Sequence, residues 1–250
     1  MSSDVDDIFD LRDELDRESQ RYATAAASIG TVSASNASGS IEVTLEPAER
    51  KLAVTIRESW RSTYEASELG SAIVDTVTIL ATERMQKWTE SVAESSETPA
   101  ANTRPLPPTS ESVSEQVRTA IDAAGDSVDM TTVMSDMMSI LEEVNAGVES
   151  AMAIVTARAQ AAHAGKDASG KVTATVDGSG SLRSVDFEEN WLDNRQAAEI
   201  SREANAAIAA ALRAATAAAP ENDLVGTPLE KYGAVLTDPQ AIARILLRKD

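Results

Sequence analysis

The sequence has no cysteine and only one histidine, His163. Without thiols the chain can form no disulfide bond, no thiolate nucleophile and no cysteine-ligated zinc or iron–sulfur site. A single histidine also argues against a histidine-rich metal site and a histidine-based catalytic triad. Aromatic residues make up only 3% of the chain, so a core has to consist of Val, Ile, Leu, Met and abundant Ala. Alanine at this density favours helices that approach each other closely.

Basic residues are scarce: 22 lysines and arginines stand against 41 acidic residues, for a net charge of −19. A DNA-binding protein gains affinity by placing basic side chains beside phosphates, so this chain would need a local basic site. The acidic excess also disfavours an anionic membrane surface. No apolar run reaches the ~20 residues that cross a bilayer, and the acidic N-terminus is unlike a secretory signal. We therefore expect a cytoplasmic protein without a membrane partner.

The first half begins and ends with helical patterns. Apolar residues recur every three or four positions over 5–25 and again over 66–92, which predicts two helices. Between them lie strand patterns, in which apolar and polar residues alternate. These strands are predicted at 31–35, 41–45 and 52–56, the last two as an antiparallel hairpin.

Two segments have the composition of connections rather than of a core. Residues 93–129 are predicted to be a linker, because their first part is rich in Ser, Thr and Pro, with a short helix at 113–124. Residues 221–250 are predicted to be a C-terminal tail that carries a short amphipathic helix. That helix either docks on the body of the protein or binds a partner.

The second half repeats this order of elements. An unbroken heptad pattern predicts a coiled-coil-like helix over 131–164, with His163 near its end and Gly165 terminating it. The remaining elements are strands at 172–176 and 185–187, a hairpin turn at 177–180 and an alanine-rich helix at 197–219.

The two halves align without a gap when the chain is shifted by 131 positions. Turn residues fall on turn residues, apolar strand positions fall on apolar strand positions, and Trp60 falls on Trp191. Both tryptophans are predicted to fill the space between sheet and helix, and stacking on nucleic-acid bases is the alternative. We therefore predict an α+β fold of two tandem α-β-β-β-α units, at 1–92 and 130–220, with long helices packed on small antiparallel sheets as a pseudo-dimer. Chance similarity of two α+β segments is the alternative.

The second half resembles the YbaB/EbfC family of bacterial nucleoid-associated proteins. The resemblance rests on an alternating strand at 172–176 after Gly170, the hairpin glycines Gly178 and Gly180, a strand at 185–187 and the alanine-rich helix. The first half has Pro47 and Glu49 where these hairpin glycines would be, so its hairpin departs from the family pattern. The similarity covers about residues 4–92 and 130–219.

This resemblance implies a dimeric α-β-β-β-α protein that binds DNA with projecting, tweezer-like helices and has no enzymatic activity. A tandem copy would then be such a dimer fused into one chain. The alanine-rich, lysine-poor composition suggests an actinobacterial source, where relatives of the family accompany type VII secretion loci. A partner-stabilising role is therefore an alternative to DNA binding.

Five basic residues are candidates for phosphate contact, because turns and strand starts can project them together. They are Arg50, Lys51, Lys166, Lys171 and Arg183. The alternative is that they are ordinary surface charges that keep the protein soluble. If the chain binds DNA, we expect weak, salt-sensitive and sequence-tolerant binding.

An apolar stripe on the long helix is the candidate site for a protein partner or for self-association. Its residues are Met134, Met137, Leu141, Val144 and Val148. Methionine adapts to varied partners, but the same stripe is also expected of an ordinary coiled-coil core within the chain.

No catalytic constellation emerges from the sequence. The paired acids Glu142-Glu143 and Glu188-Glu189 are adjacent, so they do not converge as catalytic carboxylates do. The glycines at 178 and 180 open no helix, so they do not form a phosphate-binding loop. We therefore expect no catalytic residue, metal, cofactor or small-molecule substrate.

Overall fold

A computed structural model describes residues 2–46, 51–96, 130–222 and 224–232 of the chain. The fold is α+β, as the sequence predicts, with long helices and two antiparallel sheets of three strands each. Sheet A has the order β1-β2-β3 and sheet B the order β4-β5-β6. The strands are β1 Val32–Ser35, β2 Ile41–Glu46, β3 Lys51–Ile56, β4 His163–Lys166, β5 Val172–Val176 and β6 Leu182–Phe187.

Helices precede and follow each sheet. They are α1 Ser2–Ser28, α2 Leu69–Ser96, α3 Met130–Gln160, α4 Glu189–Leu192 and α5 Ala197–Ala218. Short 3₁₀ helices lie at Glu58–Ser62, Ala66–Glu68 and Glu230–Tyr232. The helices predicted at 113–124 and in the tail beyond residue 232 lie outside the described residues.

The chain divides into two compact units. One contains the described residues of Met1–Arg104 and Gln160–Ala219, and the other contains those of Pro105–Ala159 and Pro220–Asp250. The first unit therefore holds both sheets with α1, α2, α4 and α5, whereas the second holds α3 up to residue 159 and the segment that follows Pro220. The predicted boundaries at residues 92, 130 and 220 separate the two sequence repeats, whereas the two compact units divide the chain at other positions. The repeat boundaries therefore remain a prediction.

In the first unit the two sheets share one hydrophobic core. The core is made of Val, Ile, Leu and Ala side chains with the buried Trp60, and Trp191 packs partly buried against it. Helix α2 packs on β1 and β2 and also on β6 of sheet B, while α5 packs on β4 and β5 and also on β3 of sheet A. Each helix thus contacts both sheets, which buries apolar strand faces that either half alone would leave exposed.

The positions of the strands repeat along the chain with the offset seen in the sequence. Strands β1 and β3 coincide with β4 and β6 when 131 is added to their residue numbers. The turns coincide as well, because Asn36 Oδ1 accepts the N–H of Ile41 at 3.0 Å and Asp167 Oδ1 accepts the N–H of Val172 at 2.8 Å. Gly39 and Gly170 close these two turns at φ of 65° and 71°, a conformation that favours glycine.

The predicted helix over 131–164 is wrong at its C-terminal end. Helix α3 ends at Gln160, and the next residues form β4, in which His163 pairs with Val176 of β5. His163 therefore lies in a strand rather than at a helix terminus. The reason is tertiary packing, because β4 runs so close to α5 that a Cβ at Gly165 would lie 2.0 Å from the backbone nitrogen of Ala211. Pairing with β5 and this contact override the helical propensity of the alanines around it.

Candidate nucleic-acid interface

Two of the predicted basic residues lie at one end of sheet B, on the β4–β5 hairpin. Lys166 is the last residue of β4 and is exposed, with no ion pair among the described residues. Lys171 directly precedes β5, and its Nζ lies 2.7 Å from Glu188 Oε2 in a solvent-exposed ion pair. The hairpin therefore offers one unpaired cation and one cation that Glu188 partly neutralises.

The turn of this hairpin is held by a buried carboxylate. Burial by itself would raise the pKa of Asp167, but hydrogen bonds from the Ser169 hydroxyl and from the N–H groups of Val172, Ser169 and Lys171 outweigh it and hold the pKa below its usual value. The charged carboxylate therefore fixes the hairpin that carries both lysines. Its negative charge also reduces the positive potential at the hairpin.

The remaining predicted cations lie elsewhere. Lys51 is exposed at the start of β3 in sheet A, opposite Glu46. Arg183 lies at the other end of sheet B from the lysines, where Nη2 is 2.6 Å from Asp177 Oδ2. Burial tends to raise the pKa of Asp177, but bonds from Ser179, Ser181 and Arg183 lower it overall. Arg50 lies outside the described residues.

The long helices that begin each half are acidic. Helix α1 contains eight acidic residues against three arginines, and α3 contains four acidic residues against one arginine. Phosphate would be repelled along both helices rather than attracted. The basic residues that the sequence singled out do not form one continuous patch in the described structure.

The two residues of the α3 stripe whose side chains are described, Val144 and Val148, are partly exposed to solvent. Val144 is half-buried and Val148 is 41% exposed, whereas Ala151, the next position of the heptad pattern, is buried. Met152, directly after Ala151, is 66% exposed. Met138 is 55% exposed beside them. Met134, Met137 and Leu141 lie in α3, but their side chains are not among those described.

A different face of α3 is covered by the segment after Pro220, within the second unit. A Cβ at Gly147 would lie 2.8 Å from Leu229, so that segment packs directly on the helix. Arg158 donates to the carbonyl of Val225, and Lys231 pairs with Glu143. This contact leaves Val148 and Met152 uncovered.

The polar contacts that join the two halves were not found from the sequence. Glu58 Oε1 accepts the N–H of Ala197 at 2.8 Å, at the start of α5. The Arg61 guanidinium donates to the carbonyls of Leu192 and Arg195, at 2.7 Å each. The 131-residue offset aligns each of these residues with a position in the other half. Nothing in the sequence, however, indicates that they form hydrogen bonds across the two halves.

Metal-binding and membrane-spanning features are absent from the parts of the chain that the structure describes. No group of three or more His, Cys, Asp or Glu side chains there could hold a metal ion. None of the described helices is sufficiently long and apolar to span a bilayer.

The comparison with protein families points to one family. Residues 130–222 match the model of the YbaB/EbfC DNA-binding family. The match contains α3, sheet B, α4 and α5, and it leaves sheet A and its helices outside. No curated protein and no solved structure matches the chain significantly. The chain is therefore similar to a DNA-binding family over its second half.

Proposed function

We propose that this protein is a non-enzymatic, cytoplasmic, nucleoid-associated DNA-binding protein. The observation that carries the proposal is the YbaB/EbfC match over residues 130–222. Binding is weak and independent of DNA sequence, because the net charge of −19 leaves only local basic sites for phosphate.

The first half is a second copy of the family unit in this proposal. The supporting observation is the 131-residue offset, which relates strands, turns and the positions of Trp60 and Trp191. The chain would then be the fused equivalent of a dimer, and its two copies would have diverged at the hairpin between β2 and β3.

The β4–β5 hairpin is the DNA contact that the charges favour. Lys166 and Lys171 project from one end of sheet B, whereas α1 and α3 carry excess acid. A hairpin can place both ammonium groups beside consecutive phosphates without reading bases, which explains tolerance of sequence.

Charge reversal at the hairpin tests this proposal. We expect Lys166→Glu to weaken binding to random-sequence duplex DNA about tenfold at low salt and to reduce the slope of log K against log salt by about one. Fluorescence anisotropy of labelled DNA over a salt titration measures both. Lys87→Glu, on the exposed side of α2, is the matched control with the same change in net charge.

Equal weakening by both substitutions would contradict a local contact, since it would reflect net charge alone. Absence of binding by the unmodified protein at about 20 mM salt would contradict DNA binding altogether, because phosphate contacts are strongest there.

A second candidate function is a protein-interaction or chaperone-like accessory role, for example one associated with type VII secretion. The observation that favours it is the exposure of Met138, Val148 and Met152 on a long helix. Exposed apolar residues in this arrangement are typical of a surface that receives a partner helix or a second copy of the chain. In that case the protein does not bind DNA, and Met152→Lys would abolish partner binding or self-association measured by light scattering.

A further inference from the structure

The segment that follows α5 lies along α3 as a strap, within the second compact unit. The strap comprises residues 224–231. Arg158 of α3 donates to the carbonyl of Val225, and Glu143, about four turns nearer the start of the helix, pairs with Lys231. The strap therefore runs antiparallel to α3.

Between these polar contacts the strap is anchored by Leu229, which is half-buried. A Cβ at Gly147 would lie 2.8 Å from Leu229 Cδ2, so the leucine packs directly against the helix at that position. The Lys231–Glu143 pair is more than half exposed on both sides and adds little stability. Among the described contacts, Leu229 and the Arg158 hydrogen bond thus contribute most to the attachment.

Other hydrogen bonds close the strap on itself. Thr227 Oγ1 donates to the Leu224 carbonyl at 2.7 Å and accepts the N–H of Leu229 at 3.2 Å. Glu230 Oε2 accepts the N–H of Gly226 at 2.7 Å. None of these three bonds involves α3, so the strap can leave the helix and keep its shape.

The strap follows a point at which the chain passes from one compact unit to the other. Helix α5 belongs to the first unit, and the second unit includes the chain from Pro220 onward. Ala219 is extended, with φ of −67° and ψ of 134°, and proline has no N–H with which to continue the helix. This junction is a hinge at which the strap can turn away from its own α3 without breaking α5.

Two apolar side chains beside the strap remain exposed. Val148 and Met152 directly follow the buried Gly147 and Ala151 along α3, but they are 41% and 66% exposed. A strap that joins two copies of the chain brings a second α3 close to these side chains. Their burial between the copies is a gain that the closed chain lacks.

We propose that the strap exchanges between two copies of the chain, so that the strap of one copy binds α3 of the other. Leu229 then packs at Gly147 of the second copy, and Lys231 pairs with its Glu143. The strap fits this site because the same contacts form within one chain, and exchange of an identical element is a low-cost route to a dimer. The exchange is independent of DNA and of the β4–β5 hairpin.

Crosslinking between two single-cysteine variants tests the exchange, because the natural chain has no cysteine. One full-length chain carries Glu143→Cys, the other carries Lys231→Cys, and a short bismaleimide joins the two thiols. A segment on a short linker competes at an effective concentration of about 1 mM, so mixing at about 0.1 mM is expected to crosslink about one chain in ten. A denaturing gel measures the dimer.

The matched control uses Glu149→Cys in place of Glu143→Cys. Glu149 is exposed on the side of α3 opposite Gly147, and we expect about fivefold less dimer from it. No more dimer with Glu143→Cys than with Glu149→Cys would overturn the proposal. A chain that carries both Glu143→Cys and Lys231→Cys is expected to crosslink internally, and absence of that crosslink would also overturn it, since the strap would then not lie on α3.

Removal of the apolar anchor provides the second arm. Leu229→Asp in the Lys231→Cys chain is expected to lower the dimer about tenfold, because a carboxylate is not stable in this packed position. Leu15→Asp, at a 56% exposed position of α1, is the same change elsewhere and retains the dimer. Equal yields from these two chains would contradict the strap as the connecting element. If Leu229→Asp does not fold, as judged by circular dichroism, the comparison with Glu149→Cys decides alone.

Discussion

Asn36 and Asp167 occupy equivalent turns but differ in charge. Each accepts the N–H of the first residue of the following strand, Ile41 or Val172. The carboxylate makes additional bonds with Ser169, and these keep its pKa low in spite of burial. A neutral amide therefore suffices for the turn, and the charge at Asp167 adds stability that depends on pH.

Replacing the carboxylate tests this. A lowered folded-state pKa contributes stability that is present above the unfolded pKa of about 3.9 and is lost as pH falls through the lower folded value. We expect Asp167→Asn to cost about 1 kcal/mol at neutral pH and to flatten the loss of stability with acid. Urea unfolding at neutral and acidic pH measures both effects, with Asp193→Asn on the surface as control. Identical pH dependence of Asp167→Asn and the unmodified protein would contradict the assignment.

At the residue scale, the sequence identifies turn residues but not the hydrogen-bond partners of polar side chains. The glycines at 39 and 170 could be predicted as turn residues, because their spacing repeats and turns favour them. Asn205 bonds both backbone groups of Val54 in β3, and Ser201 accepts the N–H of Ile56. These roles could not be predicted, because polar residues on an alanine-rich helix look solvent-exposed until β3 is placed beside them. Lys166 and Lys171 were expected to project together from a turn and a strand start, but neither the strand β4 that carries Lys166 nor the ion pair of Lys171 with Glu188 could be foreseen.

At the scale of elements, periodicity predicted the strands that have one buried face and the helices that have one apolar stripe. It failed at β4, whose sequence His163-Ala-Gly-Lys166 has no alternation of large apolar residues and continues a helical pattern. Pairing with β5 and the contact with α5 make it a strand. Buried alanines on α5, among them Ala207 and Ala211, allow that close approach.

Because β4 packs closely on α5, adding one methyl group at Gly165 is expected to destabilise the fold severely. Gly165→Ala would place Cβ 2.0 Å from the Ala211 nitrogen and 2.6 Å from the Ala207 carbonyl oxygen. We expect it to destabilise the fold by about 3 kcal/mol, at the upper end of overpacking costs. Gly30→Ala, with no atom within 4 Å of its Cβ, is the control and should change stability little. Chemical denaturation followed by circular dichroism compares them, and equal midpoints would contradict the packing.

At the scale of the whole molecule, the excess of acidic residues and the core shared by the two sheets have different consequences. The net charge of −19 follows from the amino-acid composition. It restricts any DNA contact to local clusters of basic residues. The sharing of one core by two sheets could be anticipated from the 131-residue offset. The manner of sharing, with each helix reaching the edge strand of the other sheet, could not, because no sequence pattern encodes which edge a helix covers.

We expect sheets A and B to unfold as one cooperative core, closed by contacts between the halves. Native-state hydrogen exchange of the full chain tests it most directly, using amides of β2 and β5 with Asn205→Ala as the perturbation. Losing Asn205 leaves the N–H and carbonyl of Val54 unpaired, which should cost about 2 kcal/mol. We predict that the slowest amides of both sheets share one opening free energy and that the substitution lowers it equally in both. Loss of protection in sheet A with sheet B unchanged would contradict it.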